Sequence, residues 1–148
     1  MGYRSDVKIV VSKEGFRELR DYVEKESVKF RKPELGDYDF NLLKHTDQIR
    51  FDGDQVLISW QDVKWYENYY DDVDVIVHGL EHLEAEGYSY RFYRVGESYD
   101  DIEETSVDGE LDQDLDYLWI VRYIDDDAIQ GNIISYDEFE NSNLEGGK

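Results

Sequence analysis

Val7, Ile9 and Val11 alternate with Lys8 and Val10 near the start of the chain, the period-two pattern of a strand. Ser12 then stands where a helix N-cap is needed, and Phe16, Leu19 and Tyr22/Val23 recur at helical spacing. The spacing predicts a helix ending near Ser27, ahead of Pro33. Residues 33–47 show no period and are predicted irregular, with a short helical turn around 40–43.

Two apolar runs, 49–51 and 55–60, flank Asp52-Gly53, and Asp-Gly is a hairpin signal because Gly tolerates the positive φ of the turn. Val56, Ile58 and Trp60 would share one face of the second run. A second helix is predicted over 71–86, with Asp71 or Asp72 near its cap and Gly87 as its stop. Its apolar stripe is Val73, Ile76, Val77, Leu80 and Leu83. Residues 88–95 read as a strand, and so do 116–124. The last is apolar or aromatic on both faces and is therefore expected to be central or covered.

The order β-α-β-β-α-β plus one strand is the α+β, ferredoxin-like order, with two helices on one face of an antiparallel sheet. We expect a single domain over 1–127 and a partly flexible C-terminal extension over 128–148, with Ile133-Ile134 and Phe139 as candidate anchors.

Composition narrows the class. At 148 residues, with 40% hydrophobic and 15% aromatic content, the chain can bury a core and is not a disordered acidic polymer. It has no cysteine, which excludes disulfides, thiolate metal sites and a Cys nucleophile. Met1-Gly2-Tyr3-Arg4-Ser5-Asp6 is not an apolar signal region, and no run approaches the roughly 18 apolar residues of a membrane span. The reading is a soluble, cytoplasmic protein with no membrane partner and no cofactor.

Charge changes the picture most. Residues 1–50 hold 11 Lys/Arg and 10 Asp/Glu, and residues 51–94 hold 3 and 10. Residues 95–148 hold 17 Asp/Glu against Arg122 and Lys148 only, which is −15 of the total −21. Such a field repels DNA, RNA and anionic membrane, and attracts proteins whose surfaces hold polyanions. The plain alternative is that the charge serves solubility.

The acids fall into groups: Glu97, Asp100, Asp101, Glu103 and Glu104; then Asp108, Glu110, Asp112, Asp114 and Asp116; then Asp125, Asp126 and Asp127. In the middle group five acids occupy every second position. In an extended chain their carboxylates would share one face about 6.6–6.8 Å apart. One such row has about half the linear density of phosphates on a DNA strand, so several rows would be needed for mimicry. An EF-hand starting at Asp112 fails, because Tyr117 and Tyr123 occupy the positions that need Gly and Glu. Tyr66, Tyr69 and Tyr70 adjoin Asp71-Asp72, and Tyr99 adjoins Asp100-Asp101. Tyrosine beside carboxylates suits an Arg/Lys-rich surface, although Tyr88, Tyr90, Tyr117 and Tyr123 fit a core or sheet role better.

Two catalytic patterns are weaker. His78-Gly79-Leu80-Glu81-His82 matches H-x-x-E-H, but helical geometry sets both histidines opposite the apolar stripe, which favours plain exposure. Asp62-Val63-Lys64 fits the metal-nuclease tripeptide, yet Asp6-Val7-Lys8 fits it equally and no large basic surface accompanies it.

Three segments together carry a likeness: Met1-Gly2-Tyr3-Arg4-Ser5-Asp6-Val7, Val63-Lys64-Trp65-Tyr66, and Arg94-Val95-Gly96-Glu97 followed by Asp100-Asp101-Ile102-Glu103. Over residues 1–124 the chain resembles a group of small, acidic, phage-encoded proteins, similar to anti-CRISPR or anti-restriction inhibitors, several of which imitate nucleic acid. The resemblance implies the cytoplasm of an infected bacterium. It supplies neither a target nor a catalytic residue, and the alternation at 108–116 lies outside it. The expectation is a non-enzymatic inhibitor that holds the basic channel of a nucleic-acid-binding defence protein. The alternatives are an adaptor acting through its Tyr/Trp surface and, last, a metal-dependent nuclease.

Overall fold

The computed structural model describes residues 3–30, 39–112, 114–120 and 124–141, the side chain of Asp125 excepted. The elements run β1 (Ser5–Ser12), α1 (Lys13–Ser27), β2 (Gln48–Asp52), β3 (Gln55–Val63), α2 (Asp71–Glu86), β4 (Tyr90–Gly96), β5 (Ile102–Val107), β6 (Trp119–Ile120), β7 (Ile124–Asp125), β8 (Asn132–Ile134) and α3 (Tyr136–Glu140). Six strands form one sheet in the order β5-β4-β1-β3-β2-β8, with every neighbouring pair antiparallel. The class is α+β. Among the described residues no helix is long and apolar enough to cross a membrane.

Local chemistry sets the element ends. The Ser12 hydroxyl accepts from Gly15 N at 2.9 Å and caps α1. Asn41 caps a 3-10 turn at Leu42–His45 in the same way. The β2–β3 turn consists of Gly53 and Asp54, with Gly53 at φ +64, so the hairpin sits one residue later than Asp52-Gly53 suggested. Gly87 ends α2 at φ +96. Asp72 accepts from Val73 N, and Asp74 accepts from Asn68 N just ahead of the helix.

The sheet has an apolar cluster on each face. One gathers Val7, Ile9, Val11, Val56, Ile58, Trp60 and Phe92 with Phe16, Leu19 and Val23 of α1 and Val73, Ile76, Leu80 and Leu83 of α2. The other gathers Val10, Leu57, Tyr93 and Val95 with Leu115, Leu118, Ile124 and Ile129. Alternation along β1 and β3 therefore serves two cores. This explains why Val10 and Leu57 are apolar where a one-sided sheet would place polar residues.

Three parts of the sequence reading change. Residues 116–124 do not form a central strand. Trp119 and Ile120 pair with Asp125 and Ile124 in a separate two-stranded sheet, and residues 121–123 lie outside the described residues. Tyr117 is 57% and Trp119 75% exposed. The segment is a strap over the second sheet face, anchored by Leu115 and Leu118 at a spacing no strand has. The second change is β5, an edge strand exposed along its length, so that no apolar alternation marks it. The third is at the C-terminal end, where a strand and a short helix form around the expected anchors Ile134 and Phe139 while Ile133 is exposed. β8 pairs with β2, while Phe139 is fully buried against Phe16 and Phe51, at ring distances of 4.5 and 5.9 Å.

Candidate functional site

The acidic residues are best followed from the cations that meet them. In the first group Arg94, on β4, donates to both oxygens of Asp101 at 2.6 and 3.1 Å and to Glu103 at 2.8 Å. Tyr3 Oη donates to Asp101 at 2.6 Å and accepts from Ser98 N at 2.8 Å. Hydrogen bonds from Arg94 and then Tyr3 hold the Asp101 carboxyl below its ordinary value. Glu97 accepts from Arg4 N at 2.7 Å. These contacts fasten the N-terminal end of β1 to the β4–β5 loop. Asp100 and Glu104 remain exposed beside them.

The second group is not a row of carboxylates on an extended chain. Residues 108–112 and 114–118 are irregular, and Asp114 has φ +65. Asp108 pairs with the buried Arg91 at 2.8 Å. Asp112 turns inward, accepting from the Ser12 hydroxyl and, at 2.6 Å, from Ser89 N. Asp116 exchanges two hydrogen bonds with Gln55, at 2.6 and 2.8 Å. Glu110 and Asp114 are exposed. The physical cause lies at Gly109, whose backbone presses so close to Gly87 that a Cβ would stand 2.1 Å from the Gly87 carbonyl oxygen. Leu111 N then donates to that same oxygen at 2.9 Å. Fixed to the end of α2 in this way, the segment cannot run straight.

In the third group Asp126 is held by Lys8 at 3.1 Å and by Arg50 at 3.0 Å. Arg50 also donates to Ile129 O, so one side chain clamps the turn at two points. Asp127 is exposed, and the side chain of Asp125 lies outside the described residues. A polar cleft of about 610 Å³ opens here, lined by Asp6, Lys8, Asp47, Arg50, Gln61 and Asp126 among others.

The tyrosines divide in the same manner. Tyr66 Oη accepts from Tyr3 N at 2.5 Å, and its ring meets Tyr70 at 5.3 Å. Tyr69 is 83% and Tyr99 75% exposed. Trp65 is buried between Trp60 and Phe92. The sequence context of Tyr117 predicts a buried strand. Instead Tyr117 covers the buried Arg91 guanidinium at 4.2 Å and leaves more than half of itself in solvent. That placement follows from Leu115 and Leu118 packing against β4 on either side of it, which sequence periodicity does not register.

The residues of the two catalytic patterns make contacts of other kinds among the described residues. Asp62 sits at φ +54 in an irregularity between β1 and β3, and its N–H donates to Asp6. The Asp47 carboxylate accepts from Gln61 N. His82 faces α1, pairs with Glu18 at 3.0 Å and stacks on Tyr22, whereas His78 is exposed. Among the described residues no three His, Cys, Asp or Glu side chains are grouped to hold a metal. Compared with protein-family models, with curated proteins and with solved structures, the chain matches none.

Proposed function

We propose that this chain is a non-enzymatic inhibitor of phage type. In this reading it acts in the bacterial cytoplasm by occupying the basic surface of a nucleic-acid-binding defence protein, such as a CRISPR effector nuclease. The observation that carries the reading is the division of labour among the acids. Arg91, Arg94, Lys8 and Arg50 engage Asp108, Asp101, Glu103 and Asp126. Those pairs fix the backbone on which Asp100, Glu104, Glu110 and Asp114 stand exposed. Carboxylates on a pinned frame keep their spacing, lose little entropy on binding, and accept Arg as phosphates do. The fold enters this reading as a ferredoxin-like unit, supported by the antiparallel adjacency of β4, β1, β3 and β2, with strands added at both edges.

Electrostatic steering makes such association fast and salt-sensitive. Inhibition of a candidate nuclease, measured across a salt titration, should weaken steeply as salt rises. Tight inhibition unchanged from low to high salt would sink the mimicry reading.

One observation favours a second reading, an adaptor acting through aromatic residues. A cavity of about 520 Å³ is lined by Phe40, Leu42, Val63, Tyr69 and Tyr70 with Lys64, Asp71 and Asp72. Under that reading Tyr69→Ala with Tyr70→Ala abolishes partner capture, while joint substitution of Asp100, Glu104, Glu110 and Asp114 by their amides leaves it intact. Under the leading reading the two results exchange.

A further inference from the structure

β5 is the last strand on its side of the sheet, with β4 as its neighbour. Its six residues, Ile102–Val107, are exposed almost throughout. We propose that this edge is a docking strand for an extended, arginine- or lysine-rich segment of a protein partner, added to the sheet as a further strand. The inference rests on the basic-partner reading above and deepens it by naming the element and the mode of contact.

Three features lead here. The first is geometry: a strand at a sheet edge offers backbone donors and acceptors in register, the requirement for strand addition. The second is charge. Glu103 lies opposite Arg94 and Glu104 opposite Tyr93, so consecutive glutamates project to the two faces of the sheet. Asp100 precedes the strand and Asp108 follows it. A second copy paired along this edge would bring glutamates against glutamates in two chains of −21 each, which disfavours self-association. A cationic strand would place its side chains against them on both faces.

The third feature is an exposed aromatic ledge one strand inward. Leu118 N donates to Tyr93 Oη at 2.9 Å, and Tyr117 lies over Arg91. Arg91 pairs across to Ser106 and Tyr93 to Glu104. The Tyr117–Trp119 stretch therefore runs over β4 beside the outer strand, with both aromatic side chains largely in solvent. Tyr117 already receives a guanidinium on one face. Arginines of an added strand would find the same chemistry here that holds Arg91.

The test uses the whole chain and two short synthetic peptides of equal charge. One repeats Arg-Thr-Thr and the other Arg-Pro-Pro, so that whichever of its edges faces β5, most residues along that edge of the second peptide lack the N–H a strand must donate. Amide-resolved NMR titration at physiological salt should show the threonine peptide binding at least about tenfold more tightly, with shifts and exchange protection centred on Ile102–Val107. Glu104→Lys should remove that preference; because the mapping is done on the unaltered chain, the outcome does not depend on how well this variant folds. Equal binding of both peptides, or shifts centred elsewhere, overturns edge docking and leaves the basic-partner reading standing. Binding of neither peptide overturns both. Pairing of the chain with itself through β5 overturns the docking proposal as well, and identifies the glutamates as insufficient guards of the edge.

Discussion

Asp112 and Asp114 are two residues apart and have different jobs. The first turns inward to the Ser12 hydroxyl and the Ser89 amide, and the second stands in solvent. Asp112→Ala should destabilise the protein by about 2–4 kcal/mol, because it removes charge-assisted bonds and strands a donor. Asp114→Asn should stay within about 0.5 kcal/mol, since Asn tolerates the left-handed backbone and the site is exposed. Urea unfolding of both variants checks the contrast, and equal effects would show the inward turn to be unimportant. Asp101 adds a pH signature. Its carboxyl is held down in the fold, so its stabilising contribution is present above the unfolded value of about 4 and is lost as pH falls through the lower folded value. Arg94→Ala should therefore destabilise fully near neutrality and progressively less below about pH 4. A penalty independent of pH would assign Arg94 a packing role instead.

Elements in this protein are joined through single close contacts. The end of α2 meets the acidic segment where Gly109 lies on Gly87, with no room for a side chain between them. Gly109→Ala should destabilise by more than about 2 kcal/mol, because backbone on both sides must move. A thermal melt of that variant beside Asp114→Asn separates the contact from any effect of local charge. At the other end, the short α3 is held by its Ser135–Glu138 capping box and by Phe139. Phe139→Ala should lower stability by about 3–5 kcal/mol and expose the chain after β8 to proteases. Normal stability in that variant would mean that α3 is an appendage.

A net charge of −21 repels itself. Raising salt from about 0.01 M to about 0.15 M shortens the screening length from about 30 Å to about 8 Å. The melting temperature should rise over that range even as association with a basic partner weakens, two opposite salt responses from one charge distribution. A falling melting temperature would mean that the pairs around Arg94 and Asp126 outweigh the repulsion. The first four strands and first two helices were legible in the sequence, down to the Ser12 cap and the Gly87 stop. β5 was not, because an edge strand exposed along its length needs no apolar pattern. The Tyr117–Trp119 stretch does not read correctly in sequence, because exposed aromatic residues beside apolar anchors, one of them covering a buried arginine, have the pattern of a core strand.

What the sequence determined by itself was local: periodicity, caps, turn residues, and the concentration of 17 acids after Arg94. Each depends on neighbours within a few positions, and chain geometry alone sets them. What only tertiary structure decided was which acids are engaged by distant parts of the fold. Asp108, Asp112, Asp116 and Asp126 meet Arg91, Ser12, Gln55, Lys8 and Arg50 across separations of 17 to 118 residues. An alternating row of identical charges carries no mark of which carboxylate a distant cation will take. That choice was made by where the sheet placed its cations and other donors, and it left Asp100, Glu104, Glu110 and Asp114 exposed on a fixed frame.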